Sequence, residues 1–282
     1  MDKNIIRELI KGYLAEDVGD GDHTSLSTIP AGTLGKAKLL VKEDGLLAGV
    51  DVAIEIFNCI DDAIKVDVLM HDGEPIVYGD IVLTVNGSVH SILKAERLVL
   101  NCMQRMSAIA TQTHQIVKLL EGTDTKVLDT RKTTPGFRYF EKLAIKIGGG
   151  VNHRFGLYDM ILIKDNHVDY SGGIANAIAN AKQYLTLHNK QLDIEIEVRN
   201  FYELAEVMQT GGVQRILLDN FSVLDLKRAV EMIGNKFVTE ASGGITIQNV
   251  REYAECGVNY ISIGALTHSV KSLDLSLKAF ND

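Results

Sequence analysis

Two basic clusters and two later carboxylates carry most of the chemistry this sequence offers. The first cluster is Asp129-Thr130-Arg131-Lys132-Thr133-Thr134-Pro135-Gly136, the second is Gly148-Gly149-Gly150-Val151-Asn152-His153-Arg154, and Lys164 closes the apolar run Met160 to Ile163. The chain is acidic overall, with a formal net charge of -8, so a local gathering of Arg131, Lys132, protonated His153, Arg154 and Lys164 is not bulk charge. The expectation is a small anion between them. Arginine suits planar, bidentate recognition of carboxylates, whereas Lys132 and Lys164 are point charges suited to phosphate or a single oxygen. Glu197 and Asp219 are hard oxygen ligands able to hold Mg2+ carrying a diphosphate. Glu195 shares a face with Glu197 on a strand, so one of the two is open to a structural role beside the cations. Glycine turns at Ser242-Gly243-Gly244 and at Gly264 let backbone amides approach an anion, and a helix starting after Thr246 would add its dipole. His153, after a triple glycine, is expected to line a site. His268 is left between a phosphate contact and a helix cap. The other six histidines show no metal-ligand spacing and carry no assigned chemistry.

These residues need elements to position them, and the chain changes character near residue 120. Before it, β-rich runs at Lys36 to Val41 and Ile76 to Val85, broken by glycines, suggest a sheet of hairpins. Apolar residues from Leu93 to Leu120 recur at helical spacing, predicting a long helix from about Ser91 to Leu120 with Gly122 as its cap. Candidate strands follow at Lys126 to Leu128, Met160 to Ile163, Ile194 to Val198, Arg215 to Leu218, Phe237 to Thr239 and Tyr260 to Ile263. The last four begin about every 22 residues, the rhythm of β/α units in a parallel sheet or barrel. Asp129, Arg131, Lys132, Lys164, Glu197, Asp219, Ser242 and Gly264 all fall at strand C-terminal ends, where β/α barrels build their sites.

Composition bounds the rest. The 282 residues are 46% hydrophobic and 23% charged, enough for a sizeable core in one large or two ordinary domains. A negative net charge argues against a general nucleic-acid or anionic-membrane binder. Cys59, Cys102 and Cys256 are isolated and are expected to be reduced, buried thiols. The charged start Met1 to Arg7 lacks a signal-peptide core and no segment reaches spanning length, which predicts a cytoplasmic protein.

At these motifs the chain resembles the quinolinate phosphoribosyltransferase family over essentially its whole length. The residues that carry the likeness are Glu96-Arg97 and Leu100-Asn101, Asp129 to Gly136, Lys146 to Arg154, Leu162 to His167, Glu195 to Val198, Leu217 to Asn220, Glu240 to Ile245 and Gly264 to His268. The resemblance implies an α/β fold: an N-terminal α/β sandwich at 1–118, joined by the C-terminal tail 270–282, and an incomplete β/α barrel of about six strands at 119–269. It implies transfer of phosphoribose from phosphoribosyl pyrophosphate to quinolinate with loss of CO2, in NAD biosynthesis, by a homodimer or larger homo-oligomer using Mg2+. Arg131, His153, Arg154 and Lys164 would surround quinolinate, with Arg97 arriving from the neighbouring subunit. Thr130, Lys132, Glu197, Asp219, Ser242, Gly243, Gly244, Gly264 and His268 would surround phosphoribosyl pyrophosphate, with Glu197 and Asp219 toward Mg2+. Lys132, Lys164, Glu197 and Asp219 are the catalytic candidates. The residues leave open a relative acting on another aromatic acid or in molybdenum metabolism, a Schiff-base lyase using Lys164, and a non-catalytic anion binder. Five basic groups favour a dicarboxylate over nicotinate.

Overall fold

The computed structural model describes residues 3–280. The chain runs through α1 (Lys3–Val18), α2 (His23–Thr28), β1 (Leu34–Val41), β2 (Gly45–Leu46), α3 (Val50–Ile60), β3 (Lys65–Val68), β4 (Pro75–Ile76), β5 (Ile81–Ser88) and α4 (Val89–Leu119). It continues with β6 (Lys126–Leu128), α5 (Arg138–Ile147), β7 (Ile161–Ile163), α6 (Asp165–Ser171), α7 (Ile174–Leu187), β8 (Ile194–Val198) and α8 (Phe201–Thr210). The remainder is β9 (Arg215–Asp219), α9 (Val223–Ile233), β10 (Val238–Ser242), α10 (Val250–Ala254), β11 (Tyr260–Ser262), α11 (Ala265–His268) and β12 (Leu275–Ala279). Two compact units result. The first takes the chain to His114, Thr134–Gly149 and the tail from Ser269, and the second takes Gln115–Thr133 and Gly150–His268. Thr134–Gly149, which the sequence reading keeps within the barrel segment, therefore clusters with the first unit.

In the first unit, alternation of buried Ala37, Leu39 and Val41 gives β1 one apolar face. The sheet is antiparallel in the order β12-β1-β5-β3, and Leu39 stands opposite both Leu83 and Leu277, so the C-terminal tail completes this sheet. It is not the expected series of hairpins, because β1 pairs with β5 and not with its sequence neighbour. The expected run Ile76 to Val85 also breaks in two, since Asp80 accepts the Val77 N–H and Gly79, at φ +98°, completes a tight turn. Helix α1 buries Ile6 and Ile10, four apart, and α3 buries Val52, Ala53, Ile56 and Phe57. Glu55, buried on α3, pairs with Lys3 and Arg7 of α1, each at 2.9 Å. The long helix α4 buries Ala95, Val99, Met103, Met106 and Ala110 at helical spacing, and Gly122 (φ +82°) lies in the turn beyond it.

Helix α5 is fastened to α4 by charge and by close approach. Glu141 is fully buried and accepts from Arg105 Nε at 2.8 Å and from the Thr134 N–H at 3.1 Å. Gly148 sits against the Ala110 carbonyl and Thr113, leaving no room for a Cβ. The first member of the triple glycine thus serves tight packing. Cys102 and Cys256 are buried free thiols, whereas Cys59 is only partly buried.

The second unit is a six-stranded parallel sheet in the order β6-β11-β10-β9-β8-β7, with helices between successive strands. Buried Ile194, Ile196, Val198, Ile216, Leu218, Ala241 and Ile261 are the strand positions that meet the helices. Strand β10 differs from the expected Phe237 to Thr239, running instead to Ser242. Its inward positions, Glu240 and Ser242, are polar, so an apolar run understates its length. No described helix is long and apolar enough to cross a membrane.

Substituting Gly148→Ala is expected to lower unfolding free energy by about 1–3 kcal/mol, since a Cβ there meets backbone rather than a movable side-chain end. Urea denaturation of the two proteins checks this; equal midpoints and slopes would show that the segment has slack.

Candidate active site

Parallel strands put all their C-terminal ends on one rim, and the expected residues gather there. A cavity of about 480 Å3 is lined by Thr130, Arg131, Lys132, His153, Arg154, Lys164, Glu197, Asp219 and Ser242. Leu162, Leu217, Glu240 and Ser262 line it too. An adjoining cavity of about 410 Å3 shares Thr130, Lys132, Asp219, Ser242 and Ser262 and adds Gly243, Gly244, Gly264 and His268. Arg97 is the exception. It is exposed on α4 in the first unit, and neither cavity counts it among its lining residues. A larger hollow of about 610 Å3, at the opposite strand ends, has Lys236 as its one charged lining residue and gathers no comparable set.

The second basic cluster enters the rim because the sheet is open. Strand β6 is an edge, and Val151 bridges to Leu128, with its N–H on the Val127 carbonyl at 2.9 Å. The next residues then turn inward. Buried Asp129 accepts the His153 N–H at 2.8 Å, and Arg154 Nη1 reaches the Met160 carbonyl at 3.1 Å. Burial and the neighbouring Arg131 charge lower the Arg154 pKa from its usual range, while Glu195 acts the other way.

Beneath the cations lies a buried acidic floor that the sequence reading did not anticipate as a unit. Glu195 and Glu240 are both fully buried, and His153 Nε2 stands 3.1 Å from Glu195 and 3.5 Å from Glu240. Arg215 Nη1 donates to Glu240 at 3.0 Å while its guanidinium lies over the Tyr260 ring. The His153 Nδ1 accepts the Arg154 N–H at 2.7 Å, so the ring carries its proton on Nε2, toward the glutamates. Its Nε2 thus faces both carboxylates, and positive charge on this ring lowers the Glu240 pKa against the effects of burial and Glu195. The same tautomer argues against a metal ion among His153, Glu195 and Glu240, although their ligand atoms lie within 4.8 Å of one another. Nε2 has no free lone pair, and Arg215 already supplies positive charge. Burial pushes both carboxyls up from 4.5 to about 7, and for Glu240 the neighbouring Glu195 charge adds to it. Glu240 has a sequence signal only in hindsight: it stands two before Ser242 on one strand.

The second cavity is built for close approach by backbone. Gly243 (φ +96°) and Gly244 (φ +64°) form the turn after β10, and Gly264 leaves room for Lys132 and His268 beside it. The expected helix follows Thr246 by way of a turn: the Thr246 N–H donates to Asn249, its carbonyl accepts the Val250 N–H at 2.9 Å, and the short α10 runs from Val250. Glu197 is half-buried; burial and then the Asp219 charge raise its pKa, and Lys164 partly offsets this. Asp219 accepts from the Asn220 side chain at 2.6 Å. The Lys164 N–H donates to His167 Nδ1, which fixes the start of α6 beneath the lysine.

The floor has a measurable cost. The folded state holds more protons than the unfolded chain between pH 4.5 and about 7, so the pair makes stability fall as pH rises through that window. Glu240→Gln removes one carboxyl and the repulsion on the other. Its denaturation free energy should therefore fall less steeply over that window than the wild type's, and parallel curves would rule out the protonated pair.

Residues 22–107 and 109–278 match the N-terminal and C-terminal domains of quinolinate phosphoribosyl transferase. A chloroplastic nicotinate-nucleotide pyrophosphorylase [carboxylating] of Arabidopsis thaliana is 44% identical, covering 97% of this chain and 82% of the plant protein. A probable nicotinate-nucleotide pyrophosphorylase [carboxylating] of Bacillus subtilis is 39% identical, covering 96% and 92%. The crystal structure of NadC from Streptococcus pyogenes superposes with a TM-score of 0.92 at 36% identity, covering 100% and 99%. With both domains matched and the rim residues in place, the chain belongs to the quinolinate phosphoribosyltransferase family.

Proposed function

We infer that this chain transfers phosphoribose from phosphoribosyl pyrophosphate to the nitrogen of quinolinate, with decarboxylation, yielding nicotinate mononucleotide, pyrophosphate and CO2 in de novo NAD biosynthesis. The observation that carries this is the joining of two cavities through Thr130, Lys132, Asp219 and Ser242, one cationic and one turned in glycine. An aromatic dicarboxylate suits the first and a phosphorylated sugar the second. Arg131 and Arg154 offer guanidinium forks to the carboxylates, and Lys164 a third positive charge. His153, with Nε2 on the acidic floor, lines this cavity in a fixed orientation. Lys132, at the junction, meets the departing diphosphate, while the Ser242–Gly244 turn, Gly264 and His268 hold phosphate oxygens.

Glu197 and Asp219 fit Mg2+, as hard carboxylates lining one cavity, where burial and then the Asp219 charge raise the Glu197 pKa. Bound there, Mg2+ would neutralise diphosphate charge. The carboxylates themselves favour the cationic sugar that forms as the anomeric C–O bond breaks. Once the pyridine nitrogen bears ribose it is cationic, and its charge stabilises the electron pair left on the adjacent ring carbon when the carboxylate leaves as CO2. The ring carbon then takes a proton, which we assign to Lys164. Loss of water from around that carboxylate would assist its departure.

We also assign Arg97 to the site of a partner subunit, its exposed place on α4 being the support, and the assembly to at least a homodimer. Free thiols throughout favour the cytoplasm. A Schiff-base lyase has no support beyond Lys164 itself.

Purified protein given quinolinate, phosphoribosyl pyrophosphate and Mg2+ should release CO2 and pyrophosphate in equal amounts, with no reaction on nicotinate. Lys164→Met should lower CO2 release by about 100-fold or more; unchanged turnover would remove Lys164 as proton donor, and no release by the wild type would remove the reaction. Inactive Arg97→Ala and Lys132→Ala chains, unfolded and refolded together, should regain activity through mixed sites. Failure to do so would place Arg97 in its own subunit's site or outside catalysis.

A further inference from the structure

Asn220 has a backbone that most residues avoid. Its φ is +56°, in the left-handed region, where asparagine is among the few tolerated side chains other than glycine. Three contacts hold it there. Its N–H donates to the Ser242 carbonyl at 2.8 Å, extending the β9–β10 ladder one residue past the Asp219–Ser242 pair. Its Nδ2 donates to Asp219 Oδ2 at 2.6 Å. Its Oδ1 faces Gly243 so closely that no Cβ fits at that position. The amide can be oriented in one way only, because a carboxylate accepts and does not donate, which turns Nδ2 to Asp219 and Oδ1 to the glycine. On the far side of the same turn, Asn249 Nδ2 holds the Gly244 carbonyl at 3.3 Å.

We propose that Asn220 is a positioning residue that couples the Asp219 carboxylate to the Ser242–Gly244 turn, so that both meet the phosphorylated sugar as one rigid unit. This rests on the function proposed above and adds to it a residue that lines the second cavity and acts there by holding Asp219 and the glycine turn in place. Left-handed backbone alone would make Asn220 a turn residue that glycine replaces freely. The side-chain hydrogen bond to Asp219 and the fit against Gly243 demand more. Without the amide, Asp219 gains rotamer freedom and the glycine turn loses the surface on which it rests.

Asn220→Gly keeps the backbone freedom and removes the amide; Asn220→Asp keeps size and backbone preference but sets an oxygen against Asp219. Both should lower kcat/KM for phosphoribosyl pyrophosphate by about 10- to 100-fold. Calorimetric titration with phosphoribosyl pyrophosphate and Mg2+ should show the matching loss of affinity, while quinolinate affinity and thermal midpoint stay at wild-type values. Wild-type sugar affinity and kcat/KM in Asn220→Gly would overturn the proposal, leaving a turn residue. Equal losses for quinolinate and for the sugar in both variants would overturn it as well, since the effect would then be general. A wild-type protein that binds the sugar but releases no CO2 counts against the reaction, not against Asn220, whose variants are still read by sugar affinity.

Discussion

Burial first, and then the nearby Arg131 charge, lower the tendency of Arg154 to hold its proton, and Glu195 beneath supplies the opposing charge. The rest of the second unit can be read from that balance. A wall able to grip two carboxylates must hold like charges together before the ligand arrives, and burial of Arg154 makes this harder. A buried carboxylate under the wall relieves the strain, yet a second one, Glu240, beside it would be costly if both were ionised. Sharing protons near neutrality, together with the charges of Arg215 and His153, keeps the floor close to balanced.

The geometry of parallel strands makes such a stack cheap to encode. Positions two apart on a strand face the same side, so β8 presents Glu195 below and Glu197 at the mouth, and β10 presents Glu240 below and Ser242 at the mouth. On β9 the same side carries Arg215, Leu217 and Asp219 in ascending order. Each strand therefore contributes one residue to the charge floor and one to the ligand surface. A shift of register by one residue would exchange all of these with the apolar positions that meet the helices.

This explains which parts of the site could be read in the sequence. Thr130, Arg131, Lys132, Lys164, Glu197 and Asp219 end strands or follow them, and polar residues closing apolar runs are visible without knowing any pairing. The floor is different, because Glu240 meets Glu195 only through the order β10-β9-β8, which no local pattern specifies. The same polarity hid the true end of β10. In the first unit, the strands of the sheet were legible as short β-rich runs, but their antiparallel pairing across α3 was not. Gly148 shows the general difficulty: glycine in sequence reads as freedom, while here it marks two backbones in contact.

The open edge of the barrel follows from the same economy. Strand β6 has a neighbour on one side only, and an unpaired edge leaves backbone donors and acceptors without partners. Val151 satisfies part of that edge by bridging to Leu128, and the chain then leaves the edge at Asn152 without continuing as a strand. A full strand there would alternate its side chains between the interior and the helices, as β8 does. A short bridge followed by a turn instead sends the consecutive residues His153 and Arg154 to the mouth, anchored by Asp129 below and the Met160 carbonyl beyond. Two neighbouring residues with one destination cannot come from a regular strand. The missing closure of the barrel is thus what lets the second basic cluster face the first.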